Sequence, residues 1–108
     1  MMQPPHPKST EQFTVQIDRD LKDIVPGFLA NRQQDLLTLR RALAERDFKT
    51  AQLLGHRMKG DGGGYGFDRI TEIGGVMELA AARQDHPALE QHTTELEHYL
   101  ARVTVVYR

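Results

Sequence analysis

A histidine, a lysine and a run of glycines share one short stretch of the chain, GHRMKGDGGGYGF at positions 55–67. The imidazole of His56 is a good nucleophile when neutral, and an unperturbed histidine is largely neutral at pH 7. Lys59 and Gly60 follow three and four residues later, so on a helix all three share one face. The stretch would therefore expose a nucleophile beside a positive charge, with room for a bulky partner to approach.

A helical wheel at about 100° per residue places His56 opposite Leu54 and Met58, which predict the core face. His56 is therefore expected to point to solvent. The residues that the wheel places around or beside it are candidates for contact with a partner: Gln52, Leu53, Arg57 and Gly63. For Gln52 and Leu53, ordinary packing at the edge of a helix explains the positions equally well.

The glycines at 60, 62, 63 and 64 would cost a helix about 3–4 kcal/mol in propensity. Two interpretations stay open. The helix ends at Gly60 and DGGGYG is a loop, or it runs on to Gly66 because Tyr65 stays in phase with Met58. In the second case Gly62 allows close helix contact, Gly66 ends the helix and Gly64 has no assigned role. The lysine precedes the glycines, which is the wrong order for a phosphate-binding loop.

Apolar periodicity predicts four helices. The first continues to about residue 45, with Pro26 either kinking it or starting it. Asp47 caps a second helix that begins at Phe48. The third covers about 67–83, and Pro87 begins the fourth, which is expected to run to the end of the chain through VTVVY. FTVQ at 13–16 is expected to be an extended lead-in without a partner strand, followed by a helical turn from Asp18.

The first helix is expected to bury Phe28, Leu29, Leu36, Leu39 and Leu43 and to direct Arg32, Gln33, Arg40 and Arg41 to solvent. Short loops favour antiparallel neighbours. The predicted fold is therefore all-α, an antiparallel up-down-up-down four-helix bundle with an extra N-terminal helical turn or short helix.

The 108 residues are enough for one domain, which we place at 13–108 after a proline-containing flexible tail at 1–12. A net charge of -1 argues against nucleic acid or an anionic membrane as partner. Cysteine is absent, and neither a signal-peptide run nor a membrane-spanning run is seen. We expect a soluble, cytoplasmic monomer.

A metal centre in the bundle is a weaker alternative. His86, His92 and His98 are spaced by six residues, which scatters them around a helix. The only Glu-x-x-His pair is Glu95 with His98, whereas a di-metal bundle needs two. We therefore predict no metal site. A docking module that keeps the bundle without chemistry is a further alternative.

The stretch HRMKGDGGGYG resembles the signature of the histidine phosphotransfer domain found in multistep phosphorelays. That signature is a histidine, a lysine at +3, a glycine at +4 and a later glycine near the helix end, here His56, Lys59, Gly60 and Gly66. The resemblance covers about residues 15–107. Asp61 departs from it, since the family often has serine there.

The resemblance implies that His56 accepts a phosphoryl group on Nε2 from a receiver-domain aspartate and passes it to another receiver. Lys59 would neutralise phosphoryl oxygens, and Gly60 would leave room for them. Partners would be receiver domains of response regulators and hybrid sensor histidine kinases. These would bring the Mg²⁺, and this chain would need no cofactor. Without a nucleotide-binding motif, the chain is not expected to act as an ATP-dependent kinase.

Overall fold

The computed structural model describes residues 12–108. Within them lie four helices and two strands: β1 (Phe13–Ile17), α1 (Val25–Glu45), α2 (Phe48–Asp61), α3 (Asp68–Ala82), α4 (His86–Arg102) and β2 (Val103–Tyr107). Two 3-10 turns, Arg19–Leu21 and Gly63–Tyr65, complete the order. The predicted tail falls at 1–12, of which residues 1–11 lie outside the described part of the chain.

Local signals set the starts of α2 and α4 and the end of α1 as predicted. Pro26 lies in the first turn of α1 and so begins this helix rather than kinking it. Arg46 closes α1 in the left-handed conformation, at φ 54°. The Asp47 carboxylate accepts a hydrogen bond from the Thr50 N–H at the start of α2, and Asp85 caps α4 in the same way.

The helices pack around one core. Each helix contacts the next along the chain, and α4 also contacts α1, which gives a four-helix bundle. All four helices contribute buried side chains, among them Leu39, Met58, Ile70, Ile73, Met77, Leu89 and Leu96. The bundle and its short N-terminal helical turn are confirmed, while the antiparallel order stays a prediction from the short loops. Within residues 12–108, no helix has both the length and the apolar character needed to cross a bilayer.

The two ends of the described chain form a parallel two-stranded sheet, with Phe13 opposite Val103 and Ile17 opposite Tyr107. Two predictions were therefore wrong: FTVQ does have a partner strand, and VTVVY is not the last turn of a helix. The β-branched residues of VTVVY favour a strand, and its partner lies at the other end of the chain, where local periodicity gives no sign of it. Packing against the core buries Ile17 to 1% exposure.

Arg32 was predicted on the solvent face of α1, and this too was wrong. The residue is only 8% exposed. Its guanidinium lies 4.8 Å from the centroid of the Phe28 ring, and its Nε donates a 2.8 Å hydrogen bond to Asp35. Stacking on an aromatic ring and pairing with a carboxylate together offset the cost of burying the charge.

Candidate functional site

His56 lies on the solvent-facing side of α2. Its side chain is 64% exposed, whereas Leu54 and Met58 are 6% and 1% exposed and face the core. The wheel prediction of an outward imidazole is therefore confirmed. A rigid helix fixes the backbone of His56, and its ring is open to a partner.

Glu78 of α3 contacts the side chains of both His56 and Lys59. Its Oε2 lies 2.9 Å from His56 Nδ1, and its Oε1 lies 3.0 Å from Lys59 Nζ. The ammonium of Lys59, and after it the hydrogen bond from His56, lower the pKa of Glu78 below its usual value. An ionised carboxylate can only accept hydrogen bonds, so Nδ1 must carry the proton and donate it.

This arrangement leaves the other ring nitrogen of His56, Nε2, without the proton. With the proton on Nδ1, a neutral imidazole presents its lone pair at Nε2. Within residues 12–108, no hydrogen bond to this nitrogen is found. The carboxylate thus selects one tautomer and orients the ring toward solvent.

Glycines on both helices bring Glu78 within reach. A Cβ added to Gly55 of α2 would lie 2.7 Å from the backbone nitrogen of Glu78, and one on Gly74 of α3 would lie 2.6 Å from that of Lys59. No side chain fits at either position, so the two backbones meet closely beside His56. Sequence analysis missed Glu78, and the signal that could have found it was the small pair Gly74 and Gly75 four and three residues before it.

The glycines after Lys59 serve different purposes. A Cβ at Gly60 would meet nothing within 4 Å, so this position leaves open space one turn from His56. A Cβ at Gly62 would lie 2.6 Å from the backbone nitrogen of Thr71, which confirms that Gly62 permits close helix contact. A Cβ at Gly64 would also meet open space, and nothing in the structure explains this glycine.

Neither open interpretation of this stretch was fully right. The α-helix passes Gly60 but ends at Asp61, and a 3-10 turn follows up to Gly66. Gly66 then breaks the chain direction at φ 90°, which glycine adopts without strain. Tyr65 still reaches the bundle, where its ring stacks on Phe28 at 4.3 Å between centroids.

A shallow recess of about 500 Å³ adjoins His56 on α2 and α3. It is lined by Lys49, Thr50, Gln52, Leu53, His56 and Glu78. Leu53 is 55% exposed, an apolar side chain that lines the same recess as the imidazole. Of the predicted partner contacts, Gln52 and Leu53 therefore lie together at the recess.

Arg57 and Gly63 lie elsewhere. Arg57 is an exposed residue of α2 that does not line the recess. Gly63 falls in the 3-10 turn beyond the end of α2, and its N–H donates a 2.7 Å hydrogen bond to the Thr71 hydroxyl. The helical wheel that placed Gly63 beside His56 does not apply past Asp61.

Metal ligands do not gather in the described part of the chain. Among residues 12–108, no group of three or more histidine or carboxylate side chains is arranged to hold a metal ion. His86 instead hydrogen-bonds the Leu43 carbonyl through Nε2 at 3.0 Å, and His92 pairs with Glu95 at 2.6 Å.

An exposed histidine with a lysine and an open glycine position one turn away matches the resemblance found in the sequence. A family model, the Hpt domain, matches residues 23–104. The chain belongs to the Hpt domain family. Hpt domains are helical bundles that act in phosphotransfer between histidine and aspartate. No curated protein and no solved structure gave a significant match.

Proposed function

We propose that this Hpt domain receives a phosphoryl group on His56 from the phospho-aspartate of a receiver domain and relays it to a second receiver. The observation that carries the proposal is the hydrogen bond of His56 Nδ1 to Glu78, on an imidazole that is 64% exposed. This bond leaves Nε2 as the outward nucleophile.

In the proposed step, the Nε2 lone pair attacks the phosphorus of the aspartyl phosphate. The phosphorus–oxygen bond to the aspartate breaks, and the aspartate leaves as a carboxylate. The new nitrogen–phosphorus bond puts positive charge on the ring, which the Glu78 carboxylate stabilises through the Nδ1 proton. Transfer to the second receiver runs the same step in reverse.

Lys59 and Gly60 support this step in different ways. The ammonium of Lys59 already lies on the same carboxylate as His56, so it is close enough to meet phosphoryl oxygens as a point charge. The open space above Gly60 admits the phosphoryl group and the loop that delivers it. Phosphoryl transfer depends mainly on such positioning and charge stabilisation.

The receiver is proposed to dock over the recess. Leu53 offers an apolar contact there, and Gln52 a polar one. Arg57 and Gly63 stay predicted contacts outside the recess. Mg²⁺ bound by the receiver would neutralise phosphate charge. The residues of this protein that are assigned to the step all come from one chain, so a monomer suffices for the transfer itself. We propose the cytoplasm as its location and no ATP-dependent activity of its own.

Incubation with a ³²P-phosphorylated receiver domain tests the proposal. Wild type and His92→Gln should both acquire a label that is labile in acid and stable in base. His56→Gln should acquire none. His92 is the matched control, because it too pairs with a carboxylate on the bundle surface. Equal labelling of the His56 variant would place the phosphoryl group on another residue and overturn the assignment of His56. No labelling of folded wild type by any receiver tested would leave only a docking module. Label from ATP alone would contradict the absence of kinase activity.

A further inference from the structure

The outer edge of β1 is a feature that phosphotransfer does not use. β1 lies outside the matched residues 23–104, and β2 extends beyond them. In residues 12–108, β1 pairs only with β2, so its other edge meets no strand. The strand reads FTVQI and has neither the charge nor the proline with which proteins block a sheet edge.

The register fixes which backbone groups face this edge. Arg108 donates its N–H to the Ile17 carbonyl and accepts from the Arg19 N–H, so Ile17 and Arg19 face β2. Backbone groups alternate in direction along a strand. Those of Thr14 and Gln16 therefore point away from β2. No hydrogen bond joins these four groups to any other residue of 12–108.

A groove of about 780 Å³ runs along this edge. One wall is residues 12–16, and the other is formed by Gly66, Asp68, Arg69 and Tyr99. Tyr99 is 3% exposed, and its hydroxyl has no hydrogen-bond partner within the described chain. This hydroxyl is closed off from solvent, so what the groove offers an occupant is the outward backbone of β1.

We propose that the occupant is β1 of a second copy of this chain, paired antiparallel about a two-fold axis at Val15. That axis sets Thr14 opposite Gln16 of the partner subunit, and Gln16 opposite the partner's Thr14. Residues so opposed in an antiparallel pair exchange both of their hydrogen bonds. The outward groups of Thr14 and Gln16 thus satisfy one another, and a four-stranded sheet forms from two marginal pairs.

Two copies of β1 can pair without electrostatic repulsion. FTVQI carries no charge, so like charges do not meet across the axis. Asp68 and Arg69 on the groove wall are opposite in sign, so the wall has no net charge to repel an uncharged strand. Pairing through one short strand buries little area, so we infer a weak dimer that forms with rising concentration.

Sedimentation equilibrium over a concentration series tests this dimer in the full chain. Wild type should dimerise, and Thr14→Lys should weaken the association about tenfold or more, because a charge is placed at the edge in each copy. Thr104→Lys is the matched control. Thr104 lies opposite Thr14 in register and is also solvent-exposed, but it belongs to the strand away from the axis. It should dimerise like wild type.

Amide hydrogen exchange locates the interface independently of the variants. The Thr14 and Gln16 amides should gain protection as concentration rises, while the Val15 amide, which faces β2, should stay protected throughout. A monomer at every concentration would overturn the proposal, as would a dimer that Thr14→Lys leaves intact. Protection of Thr14 and Gln16 at every dilution would overturn it in favour of an occupant from the same chain. Phosphotransfer by Thr14→Lys should equal that of wild type, which confirms that the variant is folded.

Discussion

Replacing Glu78 by glutamine should place the proton of His56 on the wrong nitrogen. The carboxylate uses one oxygen for Lys59 Nζ, at 3.0 Å, and the other for His56 Nδ1, at 2.9 Å. A glutamine has one oxygen and one NH₂ group. Lysine can only donate, so the oxygen should face Lys59 and the NH₂ should face Nδ1. Nδ1 must then accept, which moves the ring proton to Nε2 and removes the nucleophilic lone pair.

The loss of rate can be bounded from the exposure of the ring. In metal sites, changing the group that orients a histidine costs about 10–100-fold. The His56 side chain is 64% exposed, so water competes for both nitrogens and weakens the bias. We therefore expect Glu78→Gln to slow transfer from a phosphorylated receiver about tenfold, near the lower end of that range. Glu78→Ala should be slowed less, because water then accepts or donates at Nδ1 without preference.

Rapid-quench transfer kinetics and ¹⁵N NMR of the imidazole together decide the point. Wild type should show the Nδ1–H tautomer and Glu78→Gln the Nε2–H tautomer. Glu72→Gln is the control, since Glu72 is an exposed carboxylate on the same helix that pairs with Arg69 instead. Wild-type rate and tautomer in Glu78→Gln would refute the reasoning, and so would a greater loss in Glu78→Ala than in Glu78→Gln.

Further outcomes follow from the same geometry. Lys59→Ala should slow transfer while circular dichroism shows an intact fold, and unfolding of this variant would mean that Lys59 is structural. The same change should raise the pKa of Glu78 toward its usual value, because Lys59 is the main cause of its depression. In wild type, the stabilisation from the ionised Glu78 carboxylate should be present at pH values above the usual glutamate pKa. It should be lost as the pH falls through the lowered pKa of Glu78. A ¹³C carboxyl titration of wild type and of Lys59→Ala would follow the ionisation of Glu78. Gly62→Ala should destabilise the fold by about 1–3 kcal/mol in urea unfolding, since its Cβ would strike the Thr71 backbone, whereas Gly60→Ala should cost nothing or stabilise by up to about 1 kcal/mol.

Local signals were enough to predict the four helices and the direction of His56, but not where α2 and α4 end. Asp47 and Pro87 act within one turn of their own position, so their effect can be read without the fold, whereas Pro26 left a kink and a helix start equally open. The 3.6-residue period likewise fixes the side of α2 on which His56 lies. The features of the site that lie on α2 alone were therefore predictable.

Contacts between distant segments were not predictable in this way. Glu78 reaches His56 only because Gly55 and Gly74 let two helices meet backbone to backbone, and no single-helix pattern expresses that approach. β1 and β2 pair across nearly the full length of the described chain, so each looked like an isolated short segment. The sequence alone suggests that Arg32 is a surface cation, because its contacts with the Phe28 ring and Asp35 are visible only in the structure.

The phosphorylated protein itself offers the most direct test of the central claim, that His56 Nε2 accepts the phosphoryl group. After transfer from a phosphorylated receiver, ³¹P–¹⁵N correlation in NMR should show one nitrogen–phosphorus bond, at Nε2 of His56, with Nδ1 still protonated toward Glu78. A bond at Nδ1, or phosphorus on any other residue, would contradict the account.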